Sequence, residues 1–249
     1  MPGCVCIEWT MRNASKKNVP TDPFMKTLSV WLDKLFRLDK RILLVFLYVT
    51  VVFADGGGLS EKLLKYVSAK YGQTAINRLA EWQNLIASGK NKADIEKVKL
   101  VNTFFNRIKF VDDIVHWGKT DYWATPVEFL ITNGGDCEDF SIAKYFTLKE
   151  MGVPEEAMLI TYTKALTLNQ SHMVLIYYPT RDGDPLVLDN IIKEIKPASA
   201  RKDLVPIYSF NGKDLWLSKE RGRGRRVGAS DRISLWQNLN DRIAKEMYN

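Results

Sequence analysis

The chain has 249 residues, 46% of them hydrophobic and 26% charged, a folded-globular composition that excludes a disordered or low-complexity protein. Its formal charge of +7 is concentrated at the start. Residues 55–249 hold 28 Lys/Arg against 25 Asp/Glu, a balance of +3 that is too mild for a nucleic-acid footprint.

The first 54 residues read as a leader. Lys40-Arg41 precedes Ile42–Phe53, an uncharged apolar run of 12 residues, short of the ~20 needed to span a bilayer. Val52 and Ala54 suit cleavage after Ala54. A basic flank, a short apolar core and a small residue at the cut describe a secretory signal, with an uncleaved anchor as the alternative. The long stretch before the apolar core leaves Met25 as a possible true start. The expectation is an exported protein, not membrane-spanning after processing, with residues 1–54 removed and 55–249 forming one domain. Cys4 and Cys6 would leave with the leader, so the mature chain keeps one cysteine, Cys137. An unpaired cysteine in an oxidising compartment points to reactive chemistry more than to packing.

From Leu59 to about Phe110 the pattern is helical. Ser60 caps a helix carrying Leu63, Leu64, Val67 and Tyr71, with Gly72 as its stop. A second helix covers about Thr74–Ser88, with Ile76, Leu79, Trp82 and Leu85 at helical spacing. A third, from Asp94, carries Val98, Val101, Phe104, Phe105 and Ile108. These stripes are core. Residues 111–135 are loop-rich, broken by a short helix with Thr125 as cap and Pro126 in its first turn. Trp117, Tyr122 and Trp123 either close the end of the core or wall a groove, and the pattern favours neither.

Gly134-Gly135-Asp136-Cys137-Glu138-Asp139 is the stretch around which the chain is arranged. Two glycines end one segment, Asp136 caps a helix, and Glu138 and Asp139 suit the positive end of its dipole. Cys137 lies in the first turn, where a helix N-terminus favours the nucleophilic thiolate. The three acids oppose it, so a positive partner must outweigh them. After Gly152 the period changes to that of strands. Met158–Tyr162, Met173–Tyr178 and Pro185–Asp189 are candidates, and Ile207–Phe210 with Asp214–Leu217 forms a hairpin through Asn211-Gly212, which together suggest an antiparallel sheet. The basic, glycine-rich stretch Arg221–Arg226 reads as a solvated loop, with phosphate or nucleic-acid binding a weak second. Ser230–Met247 is an amphipathic helix.

His172 and Asp189 complete a constellation with Cys137. Cys, His and Asp in this order supply a nucleophile, a base that holds the thiolate as an ion pair, and an acid that orients the imidazole. Taken singly, His172 reads as a structural histidine and Asp189 as a turn residue; at the ends of neighbouring strands they could face one helix N-terminus. His116, in a loop before the sheet, is the competing base.

Gly135–Asp139, Ser171-His172-Met173-Val174 and Leu186–Asn190 resemble the three catalytic blocks of the bacterial transglutaminase-like cysteine proteinases. Asp121–Pro126 and Tyr208–Asn211 are similar to that family too, so the likeness covers roughly residues 95–217. It is nearest to the LapG type. The resemblance implies an α+β, papain-like/transglutaminase-like fold, with N-terminal helices and a central Cys-bearing helix packed on an antiparallel sheet. It implies a periplasmic protease that cuts the N-terminal region of a large surface adhesin, releases it and promotes biofilm dispersal. It further implies calcium dependence and sequestration by a LapD-type inner-membrane receptor that binds cyclic di-GMP. Carried over by position, Cys137 is the nucleophile, His172 the base and Asp189 the orienter; Asp136 and Glu138, with Asp139 as a third, match the Ca²⁺-ligand positions. From the residues alone, those acids read first as caps and dipole partners. Acyl transfer to an amine, and a non-catalytic binding module on the same fold, are the alternative functions.

Overall fold

The computed structural model describes residues 59–217 and 224–248. The leader-like segment and the first half of the basic stretch Arg221–Arg226 lie outside the described residues. Among those described, no helix is long and apolar enough to cross a membrane.

Helix α1 (Glu61–Gly89) is capped by Ser60, whose hydroxyl accepts the Leu63 N–H at 3.2 Å. The two helices read from the sequence are one run broken at Gly72, whose φ of 75° and ψ of −178° leave the helical region. Glycine takes that conformation without steric cost. After the break α1 buries Ala75, Leu79, Trp82 and Ile86, and the Trp82 indole N–H donates to Thr147 Oγ1 at 2.8 Å. Helix α2 (Asp94–Phe105) buries Val98, Val101, Phe104 and Phe105. It ends before Ile108, because the chain turns into a two-residue strand, β1 (Lys109–Phe110).

Two short helices follow, α3 (Asp113–His116) and α4 (Pro126–Thr132). In α4, Thr125 and Glu128 cap reciprocally: Thr125 Oγ1 accepts the Glu128 N–H at 3.1 Å, and Glu128 Oε2 accepts the Thr125 N–H at 2.8 Å. Asn133, at φ 56°, ends it in the left-handed region. Strand β2 (Gly134–Gly135) then pairs in parallel with β1. Helix α5 (Cys137–Glu150) starts directly after it.

The main sheet has seven strands: β3 (Met158–Ala165), β4 (Gln170–Tyr177), β5 (Leu186–Leu188), β6 (Lys196–Pro197), β7 (Leu204–Phe210), β8 (Asp214–Leu217) and β9 (Arg225–Ala229). Their order is β6-β5-β4-β3-β7-β8-β9, and every pairing is antiparallel. The antiparallel sheet matches the sequence expectation. Strand β9 was not expected: the end of the basic loop is itself strand, paired to β8. One sheet face carries Met158, Ile160, Met173, Leu175, Leu188 and Phe210 into the main core, with Phe140, Ala143 and Leu148 of α5. The opposite face forms a smaller cluster around Leu159, Val174, Ile176 and Val187. Helix α6 (Ser234–Tyr248) adds Trp236 and Leu239 to the main core, Trp236 lying 5.1 Å from the Phe210 ring and 5.5 Å from Phe146.

Candidate active site

The first turn of α5 is placed by the residues before it. Gly135 must be glycine: a Cβ there would lie 2.2 Å from Asp139 Oδ2 and 2.8 Å from the Phe129 ring. Asp139 is fully buried and ties two segments to the helix start, accepting the Ala124 N–H at 2.7 Å and the Asp136 N–H at 3.3 Å. Ser141 Oγ lies 2.9 Å from the Cys137 carbonyl oxygen and 3.0 Å from that of Met173. This pins the first turn of α5 to β4, one residue beyond His172.

Cys137 is a free, part-buried thiol. Its S–H donates to Glu138 Oε2 at 3.0 Å. Burial, with the carboxylates of Glu138 and Asp136, pushes the thiol well above its ordinary value, while a backbone hydrogen bond from Met173 works the other way.

His172 is 2% exposed. Its Nε2 meets Asp189 Oδ1 at 2.8 Å, which leaves Nδ1 as the ring nitrogen for a nucleophile. Asp189 follows β5 and is held on every side. Arg201 Nη2 donates to its Oδ2 at 2.7 Å and the Ile191 N–H to its Oδ1 at 2.9 Å. Its main-chain carbonyl accepts from Asn106 Nδ2 at 2.8 Å and Lys144 Nζ at 3.1 Å. Burial opposes ionisation, but His172, Ile191 and Arg201 together hold the Asp189 carboxyl well below the usual carboxylate range. Lys144 is 1% exposed, and burial pulls its ammonium down to about 7 against the pull of Asp189. Sequence reading had no signal for Arg201, Lys144 or Asn106, because they act through contacts far apart along the chain.

A set of carboxylates converges beside Cys137. Oxygens of Asp113, Asp136 and Asp139 lie within 4.8 Å of one another, as do those of Asp113, Asp121 and Glu138. Burial, then Glu138, raises Asp136 to about 9; burial raises Asp139 well above its ordinary value and also raises Glu138 and Asp113. The buried Oδ1 atoms of Asp113 and Asp136 have no hydrogen-bond partner. An all-oxygen, mutually repelling set with orphaned lone pairs fits a hard divalent cation such as Ca²⁺, which takes about six to eight oxygen ligands. Asp113 and Asp121 join the three acids read from the sequence. Their only sequence signal was their position in an acid-rich loop shortly before the cysteine.

His116, the competing base, sits on α3 with its ring 4.7 Å from that of Trp117 and against Gly134. Its Nε2 is buried with no partner, and burial lowers its pKa, so no carboxylate orients it at that nitrogen. Trp123 closes the core, stacked on Phe210 at 5.6 Å. Tyr208 stacks on Tyr162 at 5.0 Å; burial, then the neighbouring Tyr162, Asp121 and Glu138, push its phenol up to about 12. A free thiol begins α5, an Asp189-paired imidazole stands near the start of β4, and Ser141 ties the first turn of α5 to β4 beside that imidazole; these are the residue types used in acyl transfer through a thioester.

A family model described as bacterial transglutaminase-like cysteine proteinase matches residues 72–218, more than half of the chain. Three structures of Legionella pneumophila LapG are similar throughout. The EGTA-treated form is 45% identical, covering 74% of this chain and 96% of that one, with a TM-score of 0.65. A second form is 44% identical over 74% and 95%, at 0.64. The calcium-bound form is 43% identical over 73% and 98%, at 0.63. The α+β fold is therefore transglutaminase-like, as the sequence resemblance implied. No curated protein matches the chain.

Proposed function

The chain belongs to the bacterial transglutaminase-like cysteine proteinases, and on that premise we propose that it is a calcium-dependent endopeptidase with Cys137, His172 and Asp189 as its catalytic residues. The observation that carries this reading is the 2.8 Å His172–Asp189 couple beside a helix that begins with the one free cysteine of the described chain. Thiolate Cys137 attacks a peptide carbonyl, and His172, oriented by Asp189, protonates the leaving amine. Water then hydrolyses the acyl-enzyme with His172 as base. The Cys137 backbone N–H, in the first turn of α5 where helix donors lack intrahelical partners, donates to the oxyanion.

Asp113, Asp121, Asp136, Glu138 and Asp139 would hold the Ca²⁺, and a bound ion would supply positive charge that offsets the acids around the thiol. Glu138 Oε2, one of those ligand oxygens, accepts the Cys137 S–H at 3.0 Å, so the thiol and the ion site adjoin. The LapG likeness, which includes a calcium-bound form, supports this assignment.

The substrate proposed is the N-terminal region of a large surface adhesin, cut in the periplasm so that the adhesin is released. Control falls to a LapD-type inner-membrane receptor for cyclic di-GMP. Mixing the purified chain with the host's adhesin N-terminal fragment tests the reading. Cleavage is expected with calcium, is expected to stop in chelator and return when calcium is restored, and is expected to be absent in Cys137→Ala. Full cleavage by Cys137→Ala, or indifference to chelator, would overturn the corresponding half.

A further inference from the structure

The sheet carries a row of side chains leading away from the nucleophile. Met173, whose main chain holds the first turn of α5, pairs with Tyr162; Tyr162 pairs with Tyr208, Tyr208 with Leu217, and Leu217 with Arg225. Paired residues share a face, so all five lie on the face against which α5 packs. Helix α5 runs from this row towards the Met158 end of the sheet, because its Tyr145 hydroxyl accepts the Gly212 N–H at 2.8 Å beyond the far end of β7. The row therefore lies at the N-terminal edge of the helix, next to Cys137. Its middle is aromatic: the part-buried Tyr162 and Tyr208 rings stack face to face at 5.0 Å and 13°, so the row presents their edges. Leu217 is 48% exposed, and Arg225 is exposed with no ion pair among the described residues. Arg226 differs, since it is already paired with Asp214 at 2.5 Å.

We propose that this row is a substrate-recognition platform, on which an extended peptide runs from Cys137 across Tyr162 and Tyr208 and places a side-chain carboxylate on Arg225. The proposal rests on the proteinase reading and adds a specificity to it. Four steps between neighbouring strands, at about 4.8 Å each, carry the row about 19 Å from Met173, and an extended peptide advances about 3.3 Å per residue. The carboxylate therefore falls about five or six residues from the scissile bond. The ring edges and the exposed Leu217 accept the peptide's stem without regard to sequence, and Arg225 supplies the discrimination.

A positional-scanning library of internally quenched peptides, cut by the full chain in calcium, tests this. Asp or Glu at those positions is expected to raise kcat/KM about two- to fivefold over Lys, the range of a solvent-exposed ion pair. Arg225→Glu is expected to invert that preference while leaving shorter peptides, which stop before Arg225, cut at the wild-type rate. Absence of an acidic preference in the wild type, or its survival in Arg225→Glu, would overturn the proposal and leave the proteinase reading intact. If no peptide is cut, the proteinase reading is what fails, and binding of fluorescent acidic and lysine-substituted peptides to Cys137→Ala reads the platform alone. Tighter binding of the acidic peptide, reversed by adding Arg225→Glu, supports it; equal binding ends it.

Discussion

At the residue scale, the least expected feature of the site is how firmly Asp189 is held. Its carboxylate is buried, and a lone buried charge would be strongly disfavoured. Arg201 answers this by bridging Asp189 and Asp203, at 2.7 and 2.8 Å. Replacing Arg201 with Met leaves the His172 and Ile191 contacts in place but removes the full positive charge. The expected loss of folding stability is about 3 kcal/mol at pH 7, the lower end for breaking a buried ion pair. Its pH dependence follows from the depressed Asp189 value. The stabilisation is complete above the unfolded carboxyl value of about 4 and fades as the pH falls through the lower folded value. Urea unfolding at pH 7 and pH 3 should therefore show a wide gap between wild type and Arg201→Met that narrows in acid. An equal gap at both pH values would mean that Arg201 acts through packing alone.

At the scale of elements, α6 lies beyond the residues matched by the family model, yet it braces the segment that leads into the site. Arg242 donates to the Tyr122 hydroxyl at 2.9 Å, pairs with Glu128 and reaches the Trp123 carbonyl. One turn further on, Glu246 accepts the Thr125 hydroxyl at 2.8 Å. Burial, and then repulsion from Glu128 against the Thr125 hydrogen bond, raises Glu246 to about 7. A carboxyl raised above its unfolded value gives stability that is present below about pH 4 and lost as the pH climbs through 7. Glu246→Gln keeps an acceptor for Thr125 and removes that loss. It should exceed the wild type by about 2 kcal/mol at pH 8.5, with the advantage shrinking steadily towards pH 5 in chemical denaturation. A variant less stable than wild type at pH 8.5 would place the ionised carboxylate in a favourable contact with Arg242 instead.

At the scale of the whole molecule, the parts readable in the sequence were those set by local chemistry. Ser60, Gly72, Thr125-Pro126 and Asp136 each fix a helix boundary through their own backbone or side-chain preferences, and all four stand where expected. The strands around Met173 and Leu188 announce themselves as apolar runs between turn residues. What was hidden depends on distant pairing. Strands β1 and β2 are two residues each and exist only because they meet; β9 looks like a loop until β8 lies beside it; and Asp113 and Asp121 become site residues only when the loop folds over α5. The convergence of acids is also a property of the whole chain, because it sets carboxylates from the 113–121 loop against those of α5, and their repulsion opposes closure of the fold. A cation that binds only the folded arrangement should stabilise it by mass action, about 2.7 kcal/mol at a hundredfold excess over Kd. For a domain of this size each kcal/mol is worth about 2–4 °C, so Ca²⁺ is expected to raise Tm by about 5–10 °C. Asp136→Asn with Glu138→Gln relieves the repulsion and removes ligands together. That double variant should melt above the calcium-free wild type, and calcium should leave its Tm unchanged. Differential scanning calorimetry of both proteins, with and without chelator, checks this. A calcium-induced rise retained in the double variant would place the ion elsewhere in the chain.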